Sequence, residues 1–72
     1  MKMFKEFDLV GTSSGKIGVG LIEEPYGPGS NNVATVGISL AGKMDEPDWK
    51  IHIPKENIDS VIEALQEVKS EL

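Results

Sequence analysis

The hydrophobic pattern changes from a two-residue to a helical period at one proline, Pro54. Over residues 49–53, apolar residues alternate with Lys50 and His52, which is typical of a strand with one buried face. After the proline, the apolar residues form a single helical stripe: Ile58, Val61, Ile62, Leu65, Val68 and Leu72. This pattern predicts a strand that runs directly into an amphipathic helix, with Pro54 at or just before the first helical turn.

Three further strand-like segments precede this unit: residues 3–10, 16–23 and 33–41. They are separated by turns rich in glycine, proline or polar residues: 11–15, 23–32 and 42–48. Segment 23–32 holds two prolines and two glycines and is long for a hairpin loop, so we expect it to be mobile or functional. The order of elements predicts one α+β domain, residues 1–72. It is a four-stranded antiparallel sheet followed by one C-terminal helix packed on one sheet face.

The alternation also assigns the two faces of the sheet. In the third strand it predicts that the apolar residues face inward: Ala34, Val36, Ile38 and Leu40. The small residues Thr35, Gly37 and Ser39 are then predicted to face outward. Gly18, Gly20 and Gly37 fall on one face, which indicates either close approach of a ligand or strong twist and bulging of the sheet. Since one helix covers about half of a face, we expect apolar surface to remain for a partner chain and the opposite face to be free.

Size and composition favour self-association. A chain of 72 residues buries too little surface for ample stability, and with no cysteine it lacks disulfides and thiolate metal sites. A homodimer is therefore the expected state. The sequence shows no apolar run long enough to cross a bilayer and no signal-peptide core, which predicts a soluble, cytoplasmic protein without a membrane partner.

The charge restricts the class of nucleic acid that the chain is expected to bind. The net charge is −5, with seven lysines and no arginine, which argues against tight non-specific binding of duplex DNA. Before Pro54, five of the seven acidic residues lie in segments 23–32 and 42–48. The strands are consequently less acidic than the whole chain, and one sheet face is expected to be neutral or locally positive.

No residue pattern indicates catalysis. The segment GTSSGKI, residues 11–17, differs from a phosphate-binding loop in its spacing and is followed by a strand, so it is read as a hairpin turn. His52 is the single histidine and has no acid or cysteine at ligand spacing. No serine has a histidine and carboxylate placed to activate it. The chain is therefore predicted to be no enzyme and to need no metal or cofactor.

Two aromatic residues are candidates for contacts. Trp49 shares a face with Ile51 and Ile53, so it either covers the core edge beneath the helix or stacks on a base at the rim of the sheet. Tyr26 lies in the Pro-Gly segment 23–32, a setting suited to contact with a partner.

The segment WKIHIPKENIDSVIEALQEV, residues 49–68, resembles the last strand and helix of the transcriptional positive-cofactor-four family. Ile51 and Ile53 match the inward aliphatic pair, and Pro54 matches the cap region. Ile58, Ile62 and Leu65 match the helix stripe. The related purine-rich-element-binding and Whirly proteins share the same order of four strands and a helix. The chain differs in having no arginine, and in having Lys50 where the family has glycine.

The resemblance implies a homodimer that binds single-stranded DNA, or RNA, along its sheets without enzymatic activity. Carried over by position, the binding residues are Lys16, Lys50 and His52, with Trp49 at the rim; Tyr26 is added from its loop. The alternative is a protein–protein interaction module of the same fold, which uses its leftover apolar surface or segment 23–32 and which the negative charge favours.

Overall fold

A computed structural model describes residues 1–72 and confirms the predicted fold. The elements are β1 (Lys2–Asp8), β2 (Lys16–Ile22), β3 (Val33–Ser39), β4 (Trp49–Pro54) and α1 (Lys55–Glu71). The four strands form one antiparallel sheet in the order β1-β2-β3-β4, so β1 and β4 are its edges. The α1 helix packs against the sheet at β3 and β4.

The strand register divides the sheet into two faces. Gly18 lies opposite Gly37, which lies opposite Lys50, and Gly20 lies opposite Thr35, which lies opposite His52. We call this side the glycine face. Side chains alternate along each strand, so the neighbouring residues form the other side, which we call the apolar face: Phe7, Ile17, Val19, Leu21, Ala34, Val36, Ile38, Trp49, Ile51 and Ile53.

The ragged alternation in the first predicted strand has a structural cause. The register between β1 and β2 shifts between Met3 and Lys5, so Phe4 is an extra residue in a bulge. The strand also ends at Asp8 rather than at residue 10. The next residue, Leu9, begins the connection to β2, and its amide donates to the carbonyl of Gly15 at 2.9 Å.

The helix is only loosely attached to the rest of the chain. Pro54 precedes it with φ −61° and ψ 151°, an extended conformation that ends β4 and starts α1 at Lys55. None of its residues is buried, and only Ile58 and Val61 of the apolar stripe are half-buried. The stripe farther along, including Leu65 at 62% exposure, has no cover. Apolar surface therefore remains open on the helix, as expected.

The burial of β3 is the reverse of the sequence prediction. Thr35 and Ser39, predicted to face outward, are 2% and 1% exposed, whereas Leu40, predicted to face inward, is 48% exposed. The alternation itself is correct, because Ala34, Val36 and Ile38 do share the apolar face. Little surrounding structure is needed to bury a small side chain, and the segment after β3 folds back over this face. The large apolar side chains need a cover that one helix does not supply.

Candidate nucleic-acid interface

The glycines of the glycine face give space to side chains of the chain itself. A Cβ placed on Gly18 would lie 2.7 Å from the Met44 methyl carbon and 3.0 Å from the Met3 methyl carbon. A Cβ on Gly37 would lie 3.3 Å from the Met44 methyl carbon and 3.4 Å from Pro47. The expectation of a wholly free face is therefore wrong: the segment between β3 and β4 folds over its centre.

What remains open on this face is a groove of about 300 Å³. We call it the methionine groove, and it is lined by Met1, Met3, Gly18, Ile22, Thr35, Gly37, Met44, Asp45, Pro47 and Lys50. Its volume is at the lower end of the range for small-ligand sites. None of the lining residues comes from α1, so the helix does not close it.

Two buried polar atoms on this face have no hydrogen-bond partner: Thr35 Oγ1 and His52 Nε2. The two residues lie directly opposite each other on β3 and β4. A buried hydroxyl or ring nitrogen without a partner lowers stability, and such groups are uncommon in native structures. By contrast, the Ser39 hydroxyl on the same strand accepts from the Lys43 amide at 2.9 Å.

Segment 23–32 places Tyr26 beside His52. The tyrosine hydroxyl lies 3.5 Å from His52 Nδ1, and the two ring centroids are 6.4 Å apart. The loop is held by its own hydrogen bonds, including the Gly29 amide to the Glu24 carboxylate at 3.1 Å and the Tyr26 amide to Ser30 Oγ at 3.2 Å. Tyr26 is 76% exposed, so its ring is available for contact.

The two predicted lysines differ in their surroundings. Lys16 forms an ion pair with Asp8, its neighbour across β1 and β2. The hydrogen bond and the charge of Lys16 lower the pKa of Asp8, and those of Asp8 raise the pKa of Lys16. Lys50 is exposed at the edge of the methionine groove and takes part in no ion pair. Lys50 is thus the more available cation.

Trp49 does not join the other predicted site residues. It lies on the apolar face, opposite to Lys50 and His52, and is 59% exposed, so the helix does not cover it. Ile51 beside it is 56% exposed. The structure brings Tyr26 against His52 and places Lys50 two residues away on the same face of β4. Lys16 lies farther along this face, and Trp49 lies on the other one.

Sequence reasoning missed the methionine groove. Met3 and Met44 are far apart in the chain and meet only because the segment after β3 folds over β2. The alternation in the third strand predicts for Thr35 only a position on a small, outward polar face. The one available signal was the run of small residues on adjacent strands, which implies that something else occupies the space.

Comparison of the chain with protein-family profiles, with curated proteins and with solved structures returns no match. The α1 helix is neither long enough nor apolar enough to cross a membrane. No group of three or more histidine, aspartate or glutamate side chains lies close enough together to hold a metal ion.

Proposed function

We propose that this chain is a homodimeric, non-enzymatic protein that binds single-stranded DNA, or RNA, on its glycine face. The observation that carries the proposal is the contact of Tyr26 with His52, with Lys50 two residues away on the same face of the edge strand β4. An exposed aromatic ring and a free ammonium group on one face are the combination that binds a base and its phosphate in sequence-tolerant single-strand sites.

The electrostatics favour modest affinity. Glu6 and Asp8 lie on the same face as Lys16, and Asp45 lies among the groove residues beside Lys50. Phosphates therefore meet few unpaired positive charges, so affinity is expected to fall only gradually as salt rises. The acidic net charge also argues against tight non-specific binding to duplex DNA, which usually needs a broad basic surface.

The dimer is proposed to form through the apolar face and the helix stripe. Phe7, Trp49 and Ile51 on the sheet and Leu65 and Val68 on the helix are each between 42% and 62% exposed. Full burial of such a side chain contributes about 1.5–3 kcal/mol, so much of their stabilisation is unrealised in one chain. A second copy supplies the same two surfaces, with each helix stripe available to cover the partner's apolar face.

The proposal is tested by fluorescence anisotropy of a labelled single-stranded oligonucleotide over a range of salt concentrations. For single strands, log K falls with log salt by about 0.7 for each phosphate neutralised. Replacing Lys50→Gln should weaken binding and reduce this slope by about 0.7. Failure of the oligonucleotide to bind at low salt would remove the proposal.

The matched control is Lys5→Gln, the same change of charge on the same sheet. Lys5 lies opposite Val19 and so belongs to the other face. Its replacement should leave the salt slope unchanged. Light scattering on each variant, with and without oligonucleotide, verifies that the oligomeric state has not changed. Equal losses for the Lys5 and Lys50 variants would indicate general charge attraction rather than a site on the glycine face.

A protein–protein interaction module is the second candidate, and the exposed apolar face together with the net charge of −5 favours it. In that case the apolar face is filled by a different protein, so the purified chain should be monomeric and should bind no oligonucleotide. A dimer that binds oligonucleotide selects the first candidate instead.

A further inference from the structure

All three methionines of the chain line one site, the methionine groove, although they come from two separate parts of the sequence. Met3 and Met44 both approach Gly18, so thioether side chains face a floor without Cβ atoms. A methionine side chain adapts its shape and makes favourable contacts with aromatic rings. The thioether side chains cover this floor, and their flexible surface suits a planar ring.

The polar part of the groove indicates what kind of ring. Thr35 lines the groove, is 2% exposed and has an unpartnered hydroxyl. A hydroxyl both donates and accepts hydrogen bonds, so it pairs with a ring that carries polar groups on its edge. A purely apolar ligand would leave this hydroxyl without a partner.

The charge at the groove indicates a second group that the ligand carries. Lys50 lies among the lining residues and its ammonium group has no ion-pair partner. It is thus placed to contact a phosphate attached to a ring that lies among the methionine side chains. Taken together, the groove offers room for one ring, a hydroxyl for its edge and a cation for its phosphate.

We propose that the methionine groove binds a single nucleobase, with the ring against the Met3 and Met44 side chains and its polar edge at Thr35. The inference rests on the proposed function when the base belongs to a bound strand. The same chemistry is offered by a free nucleotide, and the two sources are separated by experiment.

The test uses the full chain with its methionine methyl groups labelled for NMR, which yields one signal for each of three methionines. The probes are the four nucleoside monophosphates, a short single-stranded oligonucleotide, and an abasic strand of equal length. A base stacked in the groove should shift the Met3 and Met44 signals through its ring current. The abasic strand should leave both unchanged.

Two variants connect the shifts with the groove. Thr35→Val keeps the shape but removes the hydroxyl, and it should weaken monophosphate binding about 3–10-fold. Gly37→Ala places a methyl on the floor beside Met44 and should abolish the shifts. Ser39→Ala is the matched control, because its buried hydroxyl already has a partner and does not line the groove. It should leave monophosphate affinity unchanged.

The outcomes separate the two proposals. If anisotropy shows that the oligonucleotide binds while the methionine signals stay fixed, the groove inference is overturned and the proposed function stands. If monophosphates shift the signals and no oligonucleotide binds, the groove inference stands and the proposed function is overturned. Absence of both effects overturns both. Unchanged monophosphate affinity in the Thr35→Val variant also overturns the assignment of the base edge.

Discussion

The Thr35→Val substitution should stabilise the unliganded protein, although most substitutions in a buried strand do the opposite. The Thr35 hydroxyl is buried and has no hydrogen-bond partner. Leaving such a group unsatisfied costs about 1–3 kcal/mol, and a methyl group in its place has no such cost. Valine is also β-branched and fits a strand equally well. We expect a gain of about 1–2 kcal/mol in the free energy of unfolding.

Ser39→Ala gives the matched comparison. Ser39 lies on the same strand and face and is equally buried, but its hydroxyl accepts a hydrogen bond from the Lys43 amide. Its removal should lower the free energy of unfolding by about 1 kcal/mol. The two buried hydroxyls should thus respond with opposite signs to the loss of an oxygen.

Thermal and urea unfolding followed by circular dichroism measure both variants. For a domain of this size, 1 kcal/mol corresponds to a shift of about 4–8 °C in Tm. Chain concentration must be kept equal throughout, since the Tm of a dimer depends on it. A Thr35→Val variant that loses stability as Ser39→Ala does would show that the hydroxyl has a partner. The Thr35 hydroxyl would then not be free to bind the edge of a base in the methionine groove.

Three other substitutions test separate parts of the structure. Leu65→Glu places a charge on the open helix stripe and should halve the mass measured by light scattering; an unchanged mass would exclude the stripe from the dimer. Gly20→Ala should detach β1, seen as faster amide exchange in that strand, because its Cβ would lie 2.5 Å from the Lys2 carbonyl oxygen; retained protection contradicts this. The lowered pKa of Asp8 means that its pairing with Lys16 stabilises the fold above the pKa of an unfolded aspartate and is lost as pH falls through the folded value. Lys16→Met should return the Asp8 NMR titration midpoint to the ordinary range, and a midpoint that stays low would assign the shift to another cause.

The secondary structure follows closely from the sequence because it depends on local signals. The alternation around Lys50 and His52 and the stop at Pro54 locate β4 and α1 within one residue. The meander order of the sheet also follows, since the strands are connected by turns and loops rather than by crossover helices. The alternation also separates Lys50 and His52 from Ile51 and Ile53, and in the register both of the polar residues lie on the glycine face.

The covering of each face was decided by tertiary structure. Alternation states which residues share a side, but it contains no information on what lies above them. Met44 fills the space over Gly18 only because the segment after β3 folds back over the sheet, and that path depends on contacts distant in sequence. The same applies to Trp49, whose 59% exposure depends on how much of the apolar face the helix covers. Periodicity therefore determined the strands, the helix and their faces, whereas the groove and the open apolar surface came from packing between distant segments.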